Sequence, residues 1–174
     1  MFNPRFLTIA GMILAAALSR ILPHPWNFSP VGAMAIFAGA HFHKSGQAFL
    51  VPVAALLLSD LFLGFYDGMV LVYLSFCINV VIGMAIRNRR KVAPVAAASL
   101  LGSIQFFIIT NFAAWFSGHL YPLTMAGLQI CYIAALPFFR HTLIGDAVFT
   151  ALLFGSFALA ASKFSVLKET PSAA

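Results

Sequence analysis

Residues 68–116 read GMVLVYLSFCINVVIGMAIRNRRKVAPVAAASLLGSIQFFIITNFAAWF, two apolar runs of 19 and 25 residues separated by the basic pentad RNRRK. A helix of about 20 residues crosses the roughly 30 Å of hydrocarbon in a bilayer, so each run is long enough to span it. Arg87, Arg89, Arg90 and Lys91 do not follow them into lipid. The pentad is therefore a loop, and its charge marks the cytoplasmic side. The same pattern of apolar run and polar break predicts further spans at 6–22, 28–42, 48–65 and 142–162, so that the fold class is all-α, a polytopic membrane bundle of about six transmembrane helices in a single domain.

Composition agrees. The 174 residues are 62% hydrophobic and 8% charged, which excludes a water-soluble domain, a disordered chain and a coiled coil. Cys77 and Cys131 both sit in apolar runs and make neither a zinc quartet nor a disulfide framework. A net charge of +6 does not point to nucleic acid here, because four of the ten basic residues lie in one loop between spans.

Orientation follows from the basic residues. With six spans and both termini cytoplasmic, eight of the ten lie inside, and only Arg20 and Arg140 lie outside. Seven spans would leave seven inside, a weaker bias. Six spans make 124–139, with Tyr132 and the breaker Pro137, an interfacial or re-entrant segment at the outer face. Residues 1–23 mimic a cleavable secretory signal, but the apolar run continues through Ile21 and Leu22. Asp67-Gly68 reads as a turn, and 169–174 as a frayed polar tail.

In this arrangement the polar residues sort to the outer side. Arg20 and His24 close the first span and Asn27 follows it; Asp60 and Tyr66 close the third; Asn111 and Trp115 end the fifth; Arg140, His141 and Asp146 open the sixth. An ionisable group inside a span is costly and faces a cavity or a partner. Arg20 and Arg140 also read as snorkelling residues. Asp60 needs a cation or donor, for which Arg20, Arg140 and His24 are the candidates, in a structural pair or a ligand-facing one. Asp146 is expected to pair with His141 or Arg140. Pro23, Pro25 and Pro30 stiffen the first connector into a potential lid. Gly11, Ala15 and Ser19, and again Ala35 and Gly39, form small-residue faces expected to pack inside the bundle. Cys77 reads first as a packing residue, or, on a cavity wall, as a soft metal ligand. No phosphate-binding loop, HExxH or GxSxG motif is present, so ATP hydrolysis by this chain is excluded and energy must come from a partner or a gradient.

The stretches RILPHPWNFSPVGAMAIFAGAHF (20–42), AFLVPVAALLLSDLFLGF (48–65), FFIITNFAAWFSGHLYPLTMAGL (106–128) and ALPFFRHTLIGD (135–146) resemble a family of small bacterial six-helix membrane proteins. That family is similar to the S-components, the substrate-binding subunits of energy-coupling-factor vitamin transporters, and within that group this chain resembles the solitary cobalamin-transporter type. The resemblance implies that His24, Asp60, Cys77 and Arg140 line a pocket. It implies that Cys77 is the cobalt ligand of a bound corrinoid, and that the small-residue first helix faces a transmembrane coupling subunit with ATPases. The expected function is uptake, at the inner membrane, of a small ring-containing nutrient such as a vitamin. Its expected partners are the lipid bilayer and a small-molecule ligand, with no nucleic acid and no cofactor required for the fold. Two alternatives stand beside it: an intramembrane enzyme using His141, Asp146 or Cys77, and a structural or assembly protein without ligand.

Overall fold

The computed structural model describes residues 3–66 and 68–168. They form six α-helices, α1 (Pro4–Ser19), α2 (Val31–His41), α3 (Ser45–Leu63), α4 (Met69–Ala85), α5 (Val92–Phe116) and α6 (Met125–Lys163), followed by a 3₁₀ turn at Ser165–Leu167. No strand occurs among the described residues, so the all-α bundle expected from the sequence is the observed class. α3, α5 and α6 are long and apolar enough to cross a membrane; α1, α2 and α4 are apolar but shorter.

The bundle is built around α2. Its sequence, VGAMAIFAGAH, is apolar on every side, and ten of its eleven residues are buried. It packs against all five other helices. At about 1.5 Å per residue it is only about 16 Å long, half the hydrocarbon thickness. Its end groups therefore find donors and acceptors in the protein rather than in water. Each of the last four carbonyls has a donor. Ala38 accepts from the Phe42 amide (3.0 Å), Gly39 from Arg87 (3.3 Å), Ala40 from Arg90 (3.2 Å) and His41 from Arg5 (3.4 Å). At the other end the Asp146 carboxylate of α6 accepts from the Ala33 amide. A negative charge at the N-terminus and three guanidinium groups at the C-terminus also oppose the helix dipole. The pentad at 87–91, read above as a topology marker, thus also closes α2.

Glycine sets the closest crossing. A Cβ on Gly39 would collide with the Val80 carbonyl and lie 2.8 Å from the Met84 amide, and one on Gly83 would collide with the Ile36 carbonyl. The α2 and α4 backbones touch there, as in other small-residue helix crossings. Ala35 and Gly39 pack internally, as expected. On α1 the expectation fails: Gly11 and Ala15 are exposed, and nothing lies within 4 Å of a Cβ placed on Gly11. The apolar core face of α1 is Ile9, Ile13, Ala16 and Ala17 instead.

Several boundaries move. The first span, expected at 6–22, ends at Ser19, and the second, expected at 28–42, begins at Val31, so that 20–30 is one connector. The largest change is α6, a single helix of 39 residues and roughly 58 Å. It runs unbroken through the expected gap between 124–139 and 142–162. Pro137 takes one hydrogen-bond donor from the Ile133 carbonyl, yet both residues lie on an exposed face with room for the ring. Thr124 caps the helix, its Oγ1 accepting from the Gly127 amide (3.1 Å). Asp67 and the tail at 169–174 lie outside the described residues; Gly68, the other half of the expected turn, has φ 81°.

Candidate functional site

The connector at 20–30 closes the end of the bundle where α1 and α3 finish. Asn27 sits in the left-handed region (φ 61°), which a short amide side chain tolerates. Phe28 packs on Phe149 of α6, ring centroids 5.6 Å apart. Gly145 lets the connector lie directly on α6, since a Cβ there would be 3.0 Å from the Ser29 amide.

Beneath it Arg20 reaches across to α3. Its Nη1 donates to Asp60 Oδ1 (2.6 Å) and to Ser59 Oγ (2.5 Å), while the Tyr73 hydroxyl of α4 donates to Asp60 Oδ2 (2.9 Å). Asp60 is fully buried, and both its oxygens are engaged. Of the three partners considered for it, Arg20 is the one that pairs. In the α3–α4 loop, burial and then the Asp60 charge push the Tyr66 phenol above its ordinary pKa.

Asp146 corrects a second expectation. Its partners are Ser103 Oγ, which donates to Oδ2 at 2.6 Å, and the α2 amide of Ala33, rather than His141 or Arg140. Gly32 makes this possible, because a Cβ there would lie 2.5 Å from Oδ1. A carboxylate placed against helical amides is held by charge and by hydrogen bonds together.

Between these groups lies a cavity of about 240 Å³, bordered by Arg20, Asn27, Ser29, Tyr66, Asn79 and Asp146. A second, of about 190 Å³, adjoins it through Asn27, Phe106 and Thr142 and extends past Asn111 to Phe138 and Phe139. The Ser29 hydroxyl, buried on the wall of the first, has no hydrogen-bond partner among the described residues. Asn79 Oδ1 accepts from Gln105 Nε2 (3.0 Å), which also donates to the Ser75 carbonyl (3.0 Å), tying α4 to α5.

Of the residues singled out in the sequence, Arg20, Asn27, Tyr66 and Asp146 meet at the first cavity, with Asp60 behind Arg20, and Asn111 borders the second. The others stand aside. The exposed His24 approaches the Leu22 carbonyl with Nδ1 (2.7 Å). Trp115 Nε1 donates to the Pro122 carbonyl (3.0 Å) and anchors the α5–α6 loop. Arg140 is exposed, and His141 is half-buried with Nδ1 lacking a partner among the described residues; neither borders the two cavities. Cys77 is half-buried on α4, away from both, and the described residues contain no group of three or more His, Cys, Asp or Glu placed to hold a metal. Ser29, Asn79, Ser103 and Gln105 went unread, although Asn79 and Gln105 are polar residues in mid-span, a signal in plain view.

An all-α bundle with membrane-length helices, charge-closed at one end and hollow and polar at the other, defines the class of this protein. The chain belongs to a family of unknown function (DUF6580), whose profile matches residues 1–169. No curated protein and no solved structure matches it.

Proposed function

We propose that this chain is a membrane substrate-binding protein that takes up a small, ring-containing nutrient through the cavities at its Arg20 end, with that end facing the exterior and the basic end the cytoplasm. The observation that carries this reading is the Ser29 hydroxyl, buried and unpartnered on the wall of a cavity that also presents Asn27, Asn79 and Asp146. A buried polar atom without a partner costs about 1–3 kcal/mol, which a bound polar ligand relieves. Phe106, Tyr66 and, in the adjoining cavity, Phe138 and Phe139 supply flat apolar walls for a ring.

Charge narrows the ligand. Arg20 is neutralised by Asp60, so the residual charge on the wall is that of Asp146. That favours a ligand carrying N–H donors or a positive charge. Volume narrows it further, because 240 and 190 Å³ together stand near the lower limit of the roughly 300–1,000 Å³ of small-molecule sites. A vitamin-sized single or fused ring fits this space better than a corrinoid, and the position of Cys77 outside it favours the same choice. Release inward calls for a partner, and the outward-facing Gly11 and Ala15 support a coupling subunit docking on α1.

The test is mass spectrometry of small molecules retained by the detergent-purified chain, followed by thermal shift with a panel of ring-containing nutrients. One of them is expected to stabilise the wild type, and Ser29→Ala and Asn79→Leu to weaken its binding about fivefold or more. An empty protein that no member of the panel stabilises would favour a second reading, an assembly protein, which rests on the closed Arg20–Asp60–Tyr73 network. Conversion of the ligand during incubation would favour an enzyme.

A further inference from the structure

A cavity of 480 Å³, twice the size of the first Arg20-end cavity, runs along the seam between α5 and α6 toward the basic end. On α5 its wall carries Val92, Val95, Ala96 and Leu100, one helical face. On α6 the facing positions include Ala147, Ala151, Gly155 and Ala158, too small to fill the gap. A Cβ on Gly155 meets nothing within 4 Å. The helices are joined by Thr150 Oγ1 donating to Ser99 Oγ (3.2 Å) and by the Ser103–Asp146 bond, so the seam is held while remaining hollow.

The seam ends at two cations. Arg90 and Lys91 border it where α5 begins. Arg90 also holds the Ala40 carbonyl, whereas the side chain of the exposed Lys91 makes no hydrogen bond or ion pair among the described residues. The two described acids are remote: Asp60 belongs to the Arg20 end, and Asp146 is level with Ser103, about 18 Å along α5 from Lys91. From Val92 to Ser103 the apolar wall extends about 16 Å, against about 15 Å for one leaflet of hydrocarbon. An apolar trough one leaflet long with cations at its polar end is complementary to one kind of molecule.

We propose that this seam binds one anionic phospholipid, with an acyl chain between α5 and α6 and its phosphate at Lys91 and Arg90. The site is independent of the Arg20-end cavities. Native mass spectrometry of the full chain, with phosphatidylglycerol or phosphatidylcholine of matched acyl chains added at equal concentration, reads it directly. One phosphatidylglycerol per chain is expected to bind about fivefold or more tighter than phosphatidylcholine, the contribution of about one basic residue near a charged lipid surface. Lys91→Gln should shrink that preference toward unity, and Gly155→Phe, which puts a ring into open space, should remove the first bound lipid of either kind. Equal binding of the two lipids overturns the proposal, as does a first lipid that survives Gly155→Phe in a variant whose lipid-free thermal unfolding matches the wild type. A chain that is dimeric before lipid is added and monomeric as Gly155→Phe also overturns it, because a second copy then occupies the seam. If Gly155→Phe does not fold, Lys91→Gln decides alone, and an undiminished preference removes the site.

Discussion

Arg20 holds a carboxylate that has no access to solvent, so its loss should cost far more than a surface charge. Arg20→Ala leaves Asp60 buried with Tyr73 as its remaining side-chain donor, and a loss of about 3–5 kcal/mol is expected in denaturation of the purified protein. The double replacement Arg20→Met with Asp60→Leu should recover most of it, since an apolar pair leaves no charge to bury. If the double variant is no more stable than Arg20→Ala, the pair is not what holds these helices. Asp146 separates two roles differently. Asp146→Ala, which removes the acceptor at the head of α2, should cost about 1–3 kcal/mol, while Asp146→Asn keeps an oxygen and most of the stability. Asp146→Asn should nonetheless bind a cationic ligand at least about fivefold less tightly in a titration, if the ligand is chosen by charge. At this scale the sequence was half legible. A charged residue inside an apolar run announces that it needs a partner, which led to Asp60 and Arg20. It does not say which backbone will come to meet it, and Asp146 was misassigned because its partner is the start of a helix more than a hundred residues earlier.

Elements were legible where length and charge agree. α5 spans the same residues as the apolar run that follows RNRRK. α6 was misread because Pro137, Arg140 and His141 fall together, and a proline beside two polar residues looks like a break; on an exposed helix face it need be no more than one missing hydrogen bond. The small-residue faces look alike in sequence and differ in three dimensions. Gly39→Ala should destabilise the protein by at least about 1–3 kcal/mol, because the new methyl meets the α4 backbone, whereas Gly11→Ala should be neutral or slightly stabilising. Thermal unfolding of the two variants side by side checks this. Comparable losses would mean that α1 is covered by something not evident in the isolated chain.

For the whole molecule, the sequence conveyed the polarity of the bundle but not its hollows. Among the described residues the lysines and arginines other than Arg20 and Arg140 gather at the end where α2 finishes, the two acids lie away from it, and that much follows from composition along the chain. The Arg20-end cavities depend on a connector laid on Gly145, which carries no periodic signal, and the small residues of the α5–α6 seam, though regularly spaced, do not say whether a neighbour fills the space beside them. The proposed orientation has its own check. In a background lacking Cys77 and Cys131, Ser117→Cys should react with an impermeant thiol reagent applied to intact cells, and Asn88→Cys only after the cells are opened. The reverse pattern would turn the Arg20 end toward the cytoplasm and end the uptake reading.

α2 raises a matter of biogenesis. Eleven residues make too weak a hydrophobic signal for the insertion machinery to recognise alone, and of the side chains that close its two ends only Arg5 precedes it: Arg87 and Arg90 are made some fifty residues later, Asp146 more than a hundred. The growing chain must therefore carry this segment provisionally until the final helix is synthesised. Ribosome-released fragments ending before residue 146 should be degraded by membrane quality control, however many complete spans they contain.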